Sequence, residues 1–126
     1  MLELQEVVNL LADKEEKPYV IGSFLDSIRN SFKSGELSEN YFEKEPKWDN
    51  SISGNTKAAF AGYCHSLCHE FGFKVPKWLF KKDYYLEDPY FANNAQGILR
   101  VALLVESPNE FASRNVYFSE NCMSRA

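Results

Sequence analysis

Asn93 to Phe118, NNAQGILRVALLVESPNEFASRNVYF, is the stretch whose reading decides the fold. It holds the only long aliphatic run in the chain, Ile98-Leu99-Arg100-Val101-Ala102-Leu103-Leu104-Val105. Asn93 is suited to cap a helix, since its side-chain oxygen accepts from a free first-turn amide, and Gln96 completes a capping box three residues on. The apolar residues that follow cover almost the whole circumference, and a helix of that kind is normally buried on most sides. The expectation is a buried central helix near residues 94–106. Pro108 stops it near Glu106, because the residue before a proline is pushed out of the α region. Ser107 then restarts a helix, with Pro108 at its first position and Glu110 as the matching third residue. Asn115 closes that second helix with a positive φ, and Val116-Tyr117-Phe118 continues as an extended apolar link.

Arg100 sits inside the run. A buried guanidinium needs a partner, and breaking such a pair costs about 3–5 kcal/mol. A carboxylate from the cluster Asp83, Glu87 and Asp88 is expected to meet it and dock the Tyr84–Pro89 loop; the functional alternative is an anion site. Arg114 is expected to pair with Glu110, four residues earlier.

Outward from this stretch, the chain reads as all-α, a compact single-domain helical bundle of 126 residues. Leu2, Leu4, Val7, Val8 and Leu11 have helical spacing, as do Val20, Ile21, Phe24, Leu25, Ile28 and Phe32, which predicts an N-terminal helical hairpin over about 2–34 with Gly35 as a C-cap. A connection over about 35–55 follows, with one short helix around Leu37, Tyr41 and Phe42. A C-terminal helical core takes up about 56–126. It opens with a helix from Thr56 to Phe71, capped by Ser53 or Asn55 and ended by Gly72. Ala58, Ala59, Ala61 and Gly62 on that helix would let another helix, the central one, approach closely. Pro76 starts a single helical turn that holds Trp78, and Ser119 caps a last short helix. No strand, repeat or low-complexity tract is visible.

Hydrophobic residues make up 44% and charged residues 25%, as in ordinary globular chains, while aromatics reach 15%, which leaves rings for an interface as well as a core. A net charge of −4 weighs against a general nucleic-acid binder. Three cysteines, an odd number, and a start that lacks an export signal point to free thiols in a reducing, cytoplasmic setting. No apolar run approaches the ~20 residues of a membrane span, so no membrane partner is expected.

Several constellations could carry chemistry. Cys64 and Cys68 stack on one helix face and His65 and His69 on the neighbouring one, and pairs four apart can chelate a metal. The plainer reading makes the cysteines core residues and the histidines surface, with no cofactor. Only His65 and His69 could serve as an imidazole base, and neither lies in a hydrolase motif; no Gly-x-Ser-x-Gly elbow or phosphate-binding glycine loop is present. Lys74, Lys77, Lys81 and Lys82 interleave with Trp78, Phe80, Tyr84 and Tyr85, the pattern by which single strands are held when rings stack on bases. The competing reading turns Trp78, Leu79 and Phe80 inward and leaves the lysines to solvent.

The succession Pro76-x-Trp78, Leu86-x-x-Pro89-Tyr90-Phe91 and Leu99-Arg100-x-x-Leu103-Leu104-x-Glu106-Ser107-Pro108-x-x-Phe111-x-x-Arg114-Asn115 resembles the C-terminal half of a set of small bacterial helical proteins, over about residues 58 to 126. The resemblance implies one half of a two-gene cassette with a nucleotidyltransferase-like partner, in the manner of toxin–antitoxin pairs. It carries over no catalytic residue. It singles out Trp78, Arg100, Ser107, Pro108, Phe111, Arg114 and Asn115, with Glu106 beside them. The expectation is a non-enzymatic interaction or regulatory module that binds another protein. The alternatives are a nucleic-acid-binding regulator using residues 74–85 or the N-terminal hairpin, and a small cytoplasmic hydrolase or transferase.

Overall fold

A computed structural model describes residues 2–12, 17–91, 97–119 and 122–123. The helices are α1 (Leu4–Leu10), α2 (Lys17–Lys33), α3 (Gly54–Phe71), α4 (Ile98–Glu106) and α5 (Asn109–Ala112). Two 3₁₀ turns, Lys77–Phe80 and Lys82–Tyr84, follow α3. Two-residue strands, β1 (Tyr90–Phe91) and β2 (Val116–Tyr117), pair in parallel with Tyr90 opposite Val116 and Phe91 opposite Tyr117. The described residues are all-α apart from this bridge.

The element at the centre is α3. Ala58, Phe60, Ala61, Gly62, Cys64, Leu67 and Cys68 are all buried on it, which takes in most of its circumference. Its ends are set by local chemistry: the Ser53 hydroxyl accepts from the Thr56 amide at 3.2 Å, and Gly72 turns left-handed at φ 73°. The α1–α2 hairpin covers one side of it with Leu4, Val7, Val8, Phe24, Leu25 and Ile28. Phe42, Trp78, Leu79 and Tyr84, from segments with little regular structure, complete the same core. The short helix expected around Leu37, Tyr41 and Phe42 is a series of turns over residues 39–43, and Phe42 alone there is fully buried.

The other side of α3 receives α5. Phe111 is fully buried and lies so close to Gly62 that a Cβ there would stand 2.6 Å from its Cδ1. The small-residue face therefore admits a phenyl ring from α5, not the aliphatic helix expected there. Asn115 closes this corner at φ 66°, and its side-chain amide donates to the Leu86 and Glu87 carbonyls at 3.2 and 3.3 Å. Ser107 does not cap α5. The helix starts after Pro108, and the Ser107 hydroxyl accepts from the Phe118 amide at 3.1 Å, tying the α4–α5 junction to β2.

The buried central helix expected near 94–106 is overturned. No residue of α4 is buried. The core is filled by α3 and by aromatic rings, while α4 is a nine-residue excursion between two anchored points, the β1–β2 bridge and the Phe111 corner. All-round apolarity was a poor guide because it records what a helix could bury, not whether the chain's anchors let it reach the core. The helix begins at Ile98, after Gly97 at φ 60°, and stops at Glu106 ahead of Pro108 as expected. The Asn93–Gln96 capping box falls on residues outside those described; of the final helix expected after Ser119, residues 120, 121 and 124–126 lie outside them, and Cys122 and Met123 lie in a turn, with the Cys122 amide donating to the Ser119 carbonyl at 3.1 Å.

Candidate functional site

Helix α4 presents its apolar residues to solvent. Ile98 is 82% exposed, Val105 83%, Leu99 62% and Val101 57%. Positions three, four and seven apart share a helix face, so Ile98, Val101, Ala102 and Val105 form one outward stripe. Leu99 and Leu104 flank it, and Leu103, on the opposite side, is the only half-buried side chain of the helix. Arg100 is on the surface rather than in the core, with its guanidinium 4.6 Å from the centre of the Phe91 ring. At the surface, Arg100 does not need a carboxylate from Asp83, Glu87 or Asp88 to offset burial. Glu106 is exposed at the C-terminal end.

The buried guanidinium is Arg114. It is fully buried, donates to the Leu79 carbonyl at 2.8 Å and to the Tyr85 hydroxyl at 3.5 Å, and lies 4.9 Å from the centre of the Tyr85 ring. Burial lowers its pKa, with Tyr85 working in the other direction. The expected Arg114–Glu110 pair does not form: α5 ends at Ala112, so Arg114 is off the helix and four-residue stacking does not apply. Glu110 instead faces His69 at 3.8 Å. The Leu79 carbonyl ends a 3₁₀ turn, a place where a cation is favoured, so Arg114 clamps that turn to the α5–β2 corner.

Beside Arg114, His65 is half-buried with its Nδ1 enclosed and unpartnered. Burial, aided by the Arg114 charge and by His69, lowers its pKa to about 4, so the imidazole is neutral at pH 7. Cys64 and Cys68 point into the core, where burial raises both thiols, that of Cys68 to about 11. The four residues of the Cys64/His65/Cys68/His69 motif thus divide between the inside and the outside of α3, and the metal reading fails on that geometry. Among the described residues no group of three or more His, Cys, Asp or Glu is placed to hold a metal ion.

In the basic-aromatic segment, Trp78 is buried and donates from its indole to the Phe42 carbonyl at 2.7 Å. Tyr84 is buried too, accepting from the Trp48 indole at 2.9 Å and donating to Glu45 at 2.7 Å. Lys81 bonds the same carboxylate. Burial would raise the Glu45 pKa, but the hydrogen bonds from Lys81 and Tyr84 outweigh it and hold the carboxyl below its usual range. Lys77 and Lys82 are exposed. Only Phe80 offers a well-exposed ring, at 53%, so the stacking platform suggested by the sequence is spent on tying the turns to the 42–49 loop.

Sequence reasoning also missed a groove of about 490 Å³ between α1 and α2, lined by Leu2, Leu10, Tyr19, Val20 and Phe24. The N-terminal hairpin is apolar where a DNA reader would be basic, and its Arg29 is engaged by Glu70 at 2.8 Å. No described helix is long and apolar enough to cross a membrane. Compared with models of protein families, with curated proteins and with solved structures, the chain matches none.

Proposed function

We propose that this chain is a non-enzymatic protein-interaction module and that α4 is its contact element. The single observation that carries the reading is the outward apolar stripe Ile98–Val101–Ala102–Val105. With Leu99 and Leu104 beside it, the stripe leaves roughly 500–600 Å² of apolar surface uncovered, at the upper end of what a monomer tolerates without using it. A nine-residue helix rich in β-branched residues is too short to hold itself in water. The resemblance to two-gene cassettes extends the reading to a regulatory, antitoxin-like role beside a partner encoded next to this gene.

A photo-crosslinking residue placed at Val105 tests the reading in cells. A covalent adduct with a protein, identified by mass spectrometry, is expected at Val105 and not at the exposed Asn30 on α2. Equal labelling at both positions, or none at Val105, would remove α4 as the contact element.

A further inference from the structure

We infer that the groove between α1 and α2 binds a small cationic amphiphile, an amine on an apolar body, with the Glu6 carboxylate as its counter-charge. The site shares no residue with α4 and goes beyond the reading of that helix as a contact element.

The groove has the makeup of a small-molecule site, a mostly apolar concavity with a few polar groups at fixed places. Its volume of about 490 Å³ lies within the ~300–1,000 Å³ that such sites span. Val20, Phe24 and Ile28 recur four apart on α2 and, with Val7 of α1, make a buried floor. These four side chains belong to the main core, so the floor is formed before any ligand arrives. Tyr19, Ser23 and Ser27 run beside them as a second four-residue series and add a ring and two hydroxyls to the lining. Leu2, Leu10 and Tyr19 stand exposed at the mouth.

Charge selects among the apolar ligands that would fit. Among the described residues Glu6 is the one charged side chain that lines the groove. Its Oε1 accepts from the Glu3 amide at 3.1 Å, which holds the carboxylate at the start of α1. Among the described residues no lysine or arginine pairs with it. A fatty acid would set a second carboxylate against the first, and a neutral ligand would cover the groove without offsetting the charge. An ammonium group offsets it while its apolar body takes the floor. The net charge of −4 acts in the same sense at longer range, drawing cations and repelling anions.

Two-dimensional NMR of the nitrogen-labelled full chain at pH 7 tests this with 4-phenylbutylamine, 4-phenylbutan-1-ol and 4-phenylbutanoate, three head groups on one body, each titrated to about 20 mM. The amine is expected to shift amides of α1 and α2, those around Glu6, Leu10, Tyr19 and Ser23 first, with a Kd on the order of 1 mM, as suits a ligand of about eleven non-hydrogen atoms. The alcohol should bind about five-fold more weakly and the acid more weakly still. Raising salt from about 0.05 to 0.5 M should weaken the amine and not the alcohol. Glu6→Gln keeps an acceptor for the Glu3 amide and should bring the amine down to the affinity of the alcohol. Ser23→Trp, at an exposed position, should fill the groove and weaken both together. Equal binding of the three compounds, an amine indifferent to Glu6→Gln, shifts centred on α4, or no shift at about 20 mM overturns the inference. So does a photo-crosslinking residue at Tyr19 that captures a protein, which would give the groove to a partner helix. None of these outcomes bears on α4, which the Val105 crosslink tests by itself.

Discussion

Gly62→Ala probes the tightest joint in the molecule. A Cβ at position 62 would lie 2.6, 2.8 and 3.1 Å from Cδ1, Cε1 and Cγ of Phe111, where carbon atoms pack best at ~3.5–4.0 Å. The ring has no easy escape. It is fully buried, packs edge-on to Tyr63 at 5.0 Å between centroids and tilts against Phe118 at 5.2 Å. Overpacking of this sort costs ~1–3 kcal/mol. The better helix propensity of alanine returns ~0.5–1 kcal/mol, so the net loss should be about 1–2 kcal/mol. Urea unfolding with an unchanged m-value measures it. Phe111→Leu narrows the side chain, so in that background the alanine should cost less than it does alone, which appears as coupling in a double-mutant cycle. A neutral or stabilising Gly62→Ala, or strict additivity with Phe111→Leu, would refute the packing of α5 on α3.

His65 should make stability depend on pH. Its native pKa of about 4 lies below the ordinary 6.5, so between those values the unfolded chain binds a proton that the folded chain does not. Stability should be intact above pH 6.5 and decline as pH falls toward 4, and His65→Gln should flatten that slope in chemical denaturation at stepped pH. Burial raises the thiols of Cys64, Cys68 and Cys122, so a thiol reagent at pH 8 should label the native protein slowly and all three cysteines at once after unfolding. Trp78→Phe strands the buried Phe42 carbonyl and should cost ~1–3 kcal/mol in urea unfolding.

Helix ends were legible where a single residue type decides them. Gly35, Gly72 and Asn115 take the positive φ their positions predicted, and Ser53 caps α3. The Trp78 turn after Pro76 was legible for the same reason. Placement of the helices in space was not. The small face of α3 announced a close approach but not which partner makes it, and a phenyl ring from a one-turn helix fits a glycine notch as well as a long helix does. The buried guanidinium belongs to Arg114 and not to Arg100. Arg100 is surrounded by aliphatics in sequence yet lies outside, while Arg114, flanked by Ser113 and Asn115, is fixed by the fold against a carbonyl from a turn 35 positions away. The candidate site was visible as an aliphatic run, but its exposure follows from anchors at β1 and Phe111 that local periodicity does not record.

Helix α3 forms the core and α4 lies on its outside. The double variant Ile98→Lys/Val105→Lys, unfolded in urea at sub-micromolar concentration where copies stand apart, tests it most directly. Both positions are more than four-fifths exposed, so the loss relative to the wild-type chain should stay within about 1 kcal/mol. A loss above about 5 kcal/mol, as for two charges forced into a core, would instead place α4 inside the molecule.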